Sequence, residues 1–337
     1  MRRHLVAAVA AVLAVGTAPA VAAPVYNDAQ TKLYASASFS ADGVDCTEDP
    51  VPATPSQTAP LAENGATVTL SDQQSGSGHG TAPADKVTGS ASATGSGKVT
   101  AAGGLPRSFD LSVSGQAAIT SQQATSACEV RAGAGAEIAI GFVLSQSVYL
   151  HLDIETSGQA SNEISFNGSA GGAGYGYVEL GGNGLRTERH FRHLLTPGTY
   201  QGYFGGRVEA RGSSTTSAVG TSMVHGTFVV PGAATTAPAG KALKYLTLPA
   251  AASCTSHGID TVVTSKKKRV GQIKQVELFL GDARVQRVKH PKKGATVHLP
   301  VAAGDASELR AEVTLEPKTK GKKPKTLTAT ASYEACP

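Results

Sequence analysis

Apolar and polar residues alternate with a period of two along almost the whole chain. Leu33, Ala35, Ala37 and Phe39 alternate with Tyr34, Ser36, Ser38 and Ser40. Val87, Gly89, Ala91 and Ala93 alternate with Thr88, Ser90, Ser92 and Thr94; Leu111, Val113, Gly115 and Ala117 follow the same rule. Ile138, Ile140, Phe142, Leu144 and then Val148, Leu150, Leu152, Ile154 repeat it with larger side chains. An extended chain sends successive side chains to opposite faces, so each segment buries one face and wets the other. No long helical stripe competes with this pattern beyond the N-terminal segment. The expected class is all-β, as tandem antiparallel β-sandwiches.

Length and composition narrow the options further. The chain has 337 residues, 40% apolar, with a net charge of +5, which disfavours wholesale disorder. No internal run of about 18 apolar residues predicts a membrane-spanning helix. Residues 1–22 read as a signal peptide: Arg2-Arg3, an apolar stretch from Leu5 to Val15, and small-residue cleavage options at Ala18-Pro19-Ala20 and Ala20-Val21-Ala22. The expected location is extracellular, with association to the cell wall as the narrower reading.

Four cysteines in an exported chain predict two disulfides. Of the three connectivities, spacing favours Cys46–Cys128 and Cys254–Cys336, since both pairs are 82 residues apart. The flanks match as well: Cys46-Thr47 with Cys254-Thr255, and Ala127-Cys128 with Ala335-Cys336. No CxxC is present, which disfavours a zinc knuckle or a thioredoxin-type site.

Boundaries follow from composition. Residues 231–240, uncharged and carrying Pro231 and Pro238, read as a linker. A softer break falls near Arg131–Gly135, where strands of Ala, Ser, Thr and Val give way to strands of Ile, Phe, Leu and Tyr. The expected units are a small disulfide-clamped sandwich at 23–130, a second at 131–230 and a basic one at 241–337. A single sandwich across 23–230 is the alternative.

The search for chemistry returns little. GxSxG, HExxH, GxGxxG and EF-hand patterns are all absent, and no catalytic residue, metal or cofactor is expected. Tyr149, His151, Asp153 and Glu155 share one face of a strand, which reads as its wet side rather than a cation site. Tyr175, Tyr177 and Tyr200 suggest an alternative, a tyrosine platform on which sugar rings stack. The segment Leu194-Leu195-Thr196-Pro197-Gly198-Thr199-Tyr200 resembles the "L-x-PG-x-Y" corner of secreted bacterial jelly-roll-like modules.

Charge is segregated. Residues 240–337 hold 18 Lys and Arg against 8 Asp and Glu, a net +10; the remainder is −5, or −7 without Arg2 and Arg3. Strands are expected near 259–264, 272–280, 283–289, 295–299, 308–316 and 325–333. Short consecutive connections in an antiparallel meander or Greek key alternate between the two ends of a sandwich, so the first, third and fifth share one end. These carry Lys266, Lys267, Lys268 and Arg269; Lys289, Lys292 and Lys293; and Lys318, Lys320, Lys322, Lys323 and Lys325. Gly281-Asp282, Gly304-Asp305 and the Cys254–Cys336 pair fall at the opposite end, beside the entering chain. A basic pole facing away from the rest of the protein attracts polyanions in a salt-dependent way. Lysine outnumbers arginine and no aromatics interleave, so specific nucleic-acid recognition is not expected. The expected partner is an anionic cell-envelope polymer or another extracellular ligand, with a hydrolase as the least favoured reading.

The run Ile273-Lys274-Gln275-Val276-Glu277-Leu278-Phe279-Leu280-Gly281-Asp282-Ala283-Arg284-Val285, then Val288-Lys289-His290-Pro291, resembles immunoglobulin-like modules of secreted actinobacterial proteins. Tyr333-Glu334-Ala335-Cys336 matches their closing "Y-x-x-C" strand. The resemblance covers about the last 100 residues and implies a sandwich fold, not an activity.

Overall fold

A computed structural model describes residues 31–50, 55–82, 84–102, 105–168, 176–180, 187–317 and 322–337. The expected signal peptide, Tyr175 and Lys320 lie outside the described residues, and of Tyr177 only the backbone is described. The fold is all-β. Strands β1 (Lys32–Asp42), β2 (Thr47–Glu48), β3 (Gln57–Pro60), β4 (Val68–His79), β5 (Lys86–Ala102), β6 (Leu105–Ser121) and β7 (Glu129–Leu144) come first. They are followed by β8 (Val148–Gly158), β9 (Ala160–Gly168), β10 (Gly176–Leu180), β11 (Thr187–Leu195), β12 (Gly198–Gly212) and β13 (Thr216–Val229).

These thirteen strands build one sandwich, not two. One sheet runs β10-β9-β12-β7-β1-β3 and the other β11-β8-β13-β6-β5-β4-β2, so each mixes strands from both sides of the expected break. β1 pairs with β7 along its whole length, from Lys32 opposite Ala139 to Asp42 opposite Glu129. The change in composition that suggested a boundary runs along the strands instead. β7 goes from Val130, Ala132 and Ala134 to Ile138, Ile140, Phe142 and Leu144, all buried, while β6 runs the other way, from Phe109, Leu111 and Val113 to Ala117. The interior therefore has an end of small side chains, closed by the Cys46–Cys128 disulfide, and an end of aromatic and branched ones.

At the small end, glycine and alanine are required by ring packing. A Cβ on Gly76 would fall 2.2 Å from the ring of Phe39, and one on Gly89 2.6 Å from its other edge. At the large end, Phe109 packs against Phe204 at 4.1 Å between centroids and faces Phe228 at 6.3 Å. Two carboxylates satisfy the free edge of β1: the buried Asp72 accepts from the amide of Ala37 at 2.8 Å, and the exposed Glu48 from Ala41 at 3.0 Å.

The second sandwich begins earlier than residue 241. Residues Ala234–Gly240, expected as a linker, form strand β14 on the edge of the C-terminal sheet, paired with β21 (Lys325–Tyr333) through two irregularities. An edge position with bulges tolerates Pro238, and the run of small uncharged side chains suits a strand as well as a spacer. Strands β15 (Leu246–Thr247), β16 (Gly258–Val263), β17 (Ile273–Leu280), β18 (Ala283–Lys289), β19 (Thr296–Pro300) and β20 (Ser307–Leu315) complete the unit. They form a five-stranded sheet β14-β21-β20-β17-β18 and a three-stranded sheet β15-β16-β19, sharing one core. The periodicity located the six strands from β16 to β21 to within about a residue at each end. One helical turn, α1 (Lys267–Val270), stands inside the first lysine loop.

Tyr333 closes this core. Its hydroxyl donates to the carbonyl of Pro249 at 3.0 Å, and burial pushes its pKa up to about 12. The folded state therefore keeps a proton there that the unfolded chain releases above about pH 10. That contribution is intact below pH 10 and is lost as pH rises towards 12, at most about 2–3 kcal/mol. Denaturant titrations at pH 8 and pH 11.5 should show a steeper alkaline loss in the native protein than in Tyr333→Phe.

Candidate functional site: the basic pole and its surroundings

Hydrogen-bond register places the lysine loops. Ile273 at the start of β17 lies opposite Leu315 at the end of β20, which lies opposite Lys325 at the start of β21. Gln275 lies opposite Lys289, the last residue of β18. Backbone bonds then tie the loops to one another's roots: His290 N–H to the Lys274 carbonyl at 2.9 Å, Glu316 N–H to Gln272 at 2.8 Å and Val263 N–H to Ala295 at 2.9 Å. Lys266, Lys267, Lys268, Arg269, Lys289, Lys292, Lys293, Lys322 and Lys323 consequently gather at one end, as the alternation of connections predicts. The 3-10 turn Lys241–Lys244 joins them, since the Arg269 guanidinium donates to the Lys244 carbonyl at 2.9 Å.

The lysines of this pole are exposed. Among the described residues none of them is within ion-pair range of a carboxylate; the ion pairs of this sandwich join Arg284 and Arg287 to Glu277, His298 to Asp260 and Arg310 to Glu312. The positive charge is thus neither neutralised internally nor buried. His290 at its rim holds a left-handed backbone, φ 42°, which turns the chain into the buried Pro291.

The other end of the sandwich is as expected. Gly281 and Asp282 make the two-residue turn between Leu280 and Ala283, Ser307 lies opposite Tyr333, and the Cys254–Cys336 bridge closes beside them with a Cα separation of 5.1 Å. This end meets the first sandwich. Glu334, 3% exposed, takes His151 Nε2 at 2.6 Å and Arg192 Nη2 at 2.9 Å. Arg192 also lies over the ring of Tyr149, 4.0 Å from its centroid. His151 and Asp153 do stand on the outer face of β8 with Glu155, but His151 is a partner of Glu334 rather than an idle wet residue.

Sequence reasoning missed what the same face does across strands. His190, Asp153, His225, Asp110 and Lys98 occupy one row over β11, β8, β13, β6 and β5. His225 Nδ1 meets Asp110 at 2.7 Å, Lys98 meets the same carboxylate at 3.3 Å, and His190 meets Asp153. A groove of about 510 Å³ opens along this row, with Met223 and Glu155 on its wall. Nothing in local spacing could reveal it, because its members lie up to 127 residues apart in the chain and only register unites them. Among the described residues no group of three or more His, Cys, Asp or Glu is placed to hold a metal ion.

On the other sheet, Glu137 and Glu163 face each other across Gly205 of β12, above a groove of about 380 Å³ that Tyr34 and Arg207 also line. Burial, and secondarily the charge of Glu163, hold the Glu137 carboxyl above its ordinary range. A raised carboxyl stabilises the fold only at low pH, and that contribution is lost as pH rises through its folded pKa. Glu137→Gln should therefore raise the melting temperature at pH 7 and leave it unchanged at pH 4.

Of the expected tyrosine platform, Tyr200 points the other way. Tyr200 is 3% exposed, stacked on Phe142 at 5.5 Å, with its hydroxyl bonded to the Thr196 carbonyl at 2.7 Å. Alternation along β12 sends Tyr200 and Phe204 inward together, so Tyr200 cannot serve a sugar. Tyr177 stands opposite Ser165 in register.

No family model matches the chain, and no curated protein matches it in sequence. Among solved structures it is similar to the glycoside hydrolase domain of Endo-D from Streptococcus pneumoniae R6, at 11% identity and TM-score 0.17, over 62% of this chain and 34% of that one. It is also similar to the adhesin domain of Epf from Streptococcus pyogenes, at 9% identity and TM-score 0.19, over 68% of this chain and 78% of that one. The chain spans about a third of the Endo-D domain, and at these TM-scores neither likeness carries an argument.

Proposed function

We propose that this is an exported, non-catalytic protein that binds an anionic polymer of the cell envelope through the basic pole of its C-terminal sandwich. The observation that carries this reading is the convergence of the lysine loops on the tip opposite the junction, where the described lysines are exposed and, among the described residues, have no carboxylate in ion-pair range. Two disulfides fit an oxidising, extracellular setting, and no helix of the described residues is long and apolar enough to cross a membrane. The C-terminal unit resembles immunoglobulin-like modules, which fits a display role.

Lysine ammonium groups on loops act as mobile point charges, and they respond to charge density more than to shape. Binding should therefore follow counter-ion release, with log affinity falling linearly as log salt rises. The test uses the mature protein and inorganic polyphosphate as the probe, at 50 and 300 mM salt. Lys266→Gln/Lys267→Gln/Lys268→Gln/Lys292→Gln/Lys293→Gln is expected to lose about tenfold or more in affinity at low salt and to show a shallower salt slope. Retention that ignores salt, or that survives this variant, would remove the proposal.

A further inference from the structure

The last residues of the chain are built into the junction as a keystone. β21 ends at Tyr333, which is zipped to Ser307 of β20; Glu334, Ala335 and Cys336 lie beyond that ladder yet are 3%, 1% and 2% exposed. Glu334 N–H donates to the Ala233 carbonyl at 2.8 Å, Gly232 N–H to Ala335 at 3.2 Å and Gly304 N–H to Cys336 at 2.7 Å. The side chain of Glu334 reaches the other way, accepting from His151 and Arg192 of the first sandwich and from the Ala335 amide at 3.0 Å. Arg192 adds a contact to the Gly304 carbonyl at 3.4 Å. Among the described residues, the polar contacts that join the two sandwiches thus converge on a segment of three residues and on the Gly304 loop that its backbone holds.

Cys336, bonded to Cys254, ties the far end of that segment covalently, beside those backbone bonds. We infer that the Cys254–Cys336 disulfide is the latch of the inter-sandwich joint, and that opening it withdraws Glu334 and uncouples the two sandwiches while both stay folded. A dithiol would open it: one of its thiolates attacks Sγ of Cys254, the less buried of the two residues, Cys336 leaves as a thiolate and takes a proton, and the second thiol closes the reagent's own disulfide as Cys254 is released. Two electrons and two protons pass from the dithiol to the two cysteines. The five-stranded sheet does not depend on this bond, because β21 keeps nine paired positions with β20 and its pairing with β14. His151 and Arg192 would be left without the carboxylate that now holds them, so the joint loses its ionic closure and not only its tether.

Small-angle scattering and amide hydrogen exchange on the full mature chain test this. The oxidised native protein is compared with the dithiol-treated protein, with Cys254→Ser/Cys336→Ser, with Glu334→Ala whose bridge is intact, and with Cys46→Ser/Cys128→Ser as the control. The first three treatments should enlarge the radius of gyration and speed exchange at the start of β8 and the end of β11 by about tenfold or more, with β17 and β20 still protected. The control should leave the joint closed. Unchanged scattering in Cys254→Ser/Cys336→Ser would overturn the latch, and unchanged scattering in Glu334→Ala would overturn the role of the carboxylate. Loss of protection in β17 and β20 along with the joint would also overturn it, because the bridge would then be holding the sandwich rather than its terminal segment.

Discussion

Phe109→Ala should destabilise the N-terminal sandwich by about 3–5 kcal/mol, as expected for deleting a fully buried ring. The ring sits at the centre of the large-residue end, between Phe204 and Phe228, and directly on Gly226 of the neighbouring strand. A Cβ at Gly226 would lie 2.0 Å from the ring edge, so the glycine and the phenylalanine are a single packing unit. Gly226→Ala alone should cost about 1–3 kcal/mol through overpacking. In the Phe109→Ala background the added methyl enters the vacated volume, and the cost should shrink or change sign. A double-mutant cycle by urea denaturation measures this coupling; strict additivity would show that the ring does not rest on Gly226.

The second large effect belongs to the small-residue end. Cys46→Ala/Cys128→Ala should cost up to about 4–5 kcal/mol, since the bridge closes a loop of 82 residues in the unfolded chain. Apart from Phe39 and Ile119, that end has a core of alanines, among them Ala37, Ala41, Ala91, Ala132, Ala134 and Ala210, with a few valines, and such side chains bury little area. Gly43 beside the bridge has φ +149°, and a Cβ there would lie 2.6 Å from the Ala127 carbonyl, so the closing turn has no slack of its own. Amide exchange should therefore rise first at the end of β1 and the start of β7, while Ile138 to Leu144 stay protected. Uniform loss of protection along β7 would show instead that the two ends of the sandwich melt as one.

Period-two alternation revealed the class and most strands, because strand faces are a local property of the chain; the equal spacing of 82 residues pointed to both disulfides. The alternation of connections also placed the lysine loops, although only β17–β18 and β20–β21 are hairpins and the other connections cross to or from the three-stranded sheet of β16 and β19. The division of the first 230 residues failed for a different reason. β1 and β7, or β6 and β13, are paired across about a hundred residues, and local composition carries no record of such partners. Side-chain size changed along each strand rather than between units, and read linearly that gradient looks like a border. The row from His190 to Lys98 was hidden in the same way. Tyr200 was misread because its strand's parity, once fixed by Phe204 and Val208, leaves it no outer position. Residues 234–240 misled because small uncharged residues serve a spacer and an edge strand equally well.

The separation of charge along this molecule has a mechanical corollary. With +10 on residues 240–337, concentrated at the far tip, and −5 on the remainder, the body carries a permanent electric moment directed towards that tip. Beside any negatively charged layer it experiences a torque as well as a pull, and comes to stand upright. The alanine-lined extremity stapled by Cys46–Cys128, with the fully exposed Val44 at its crown, then becomes the part that faces the surrounding medium.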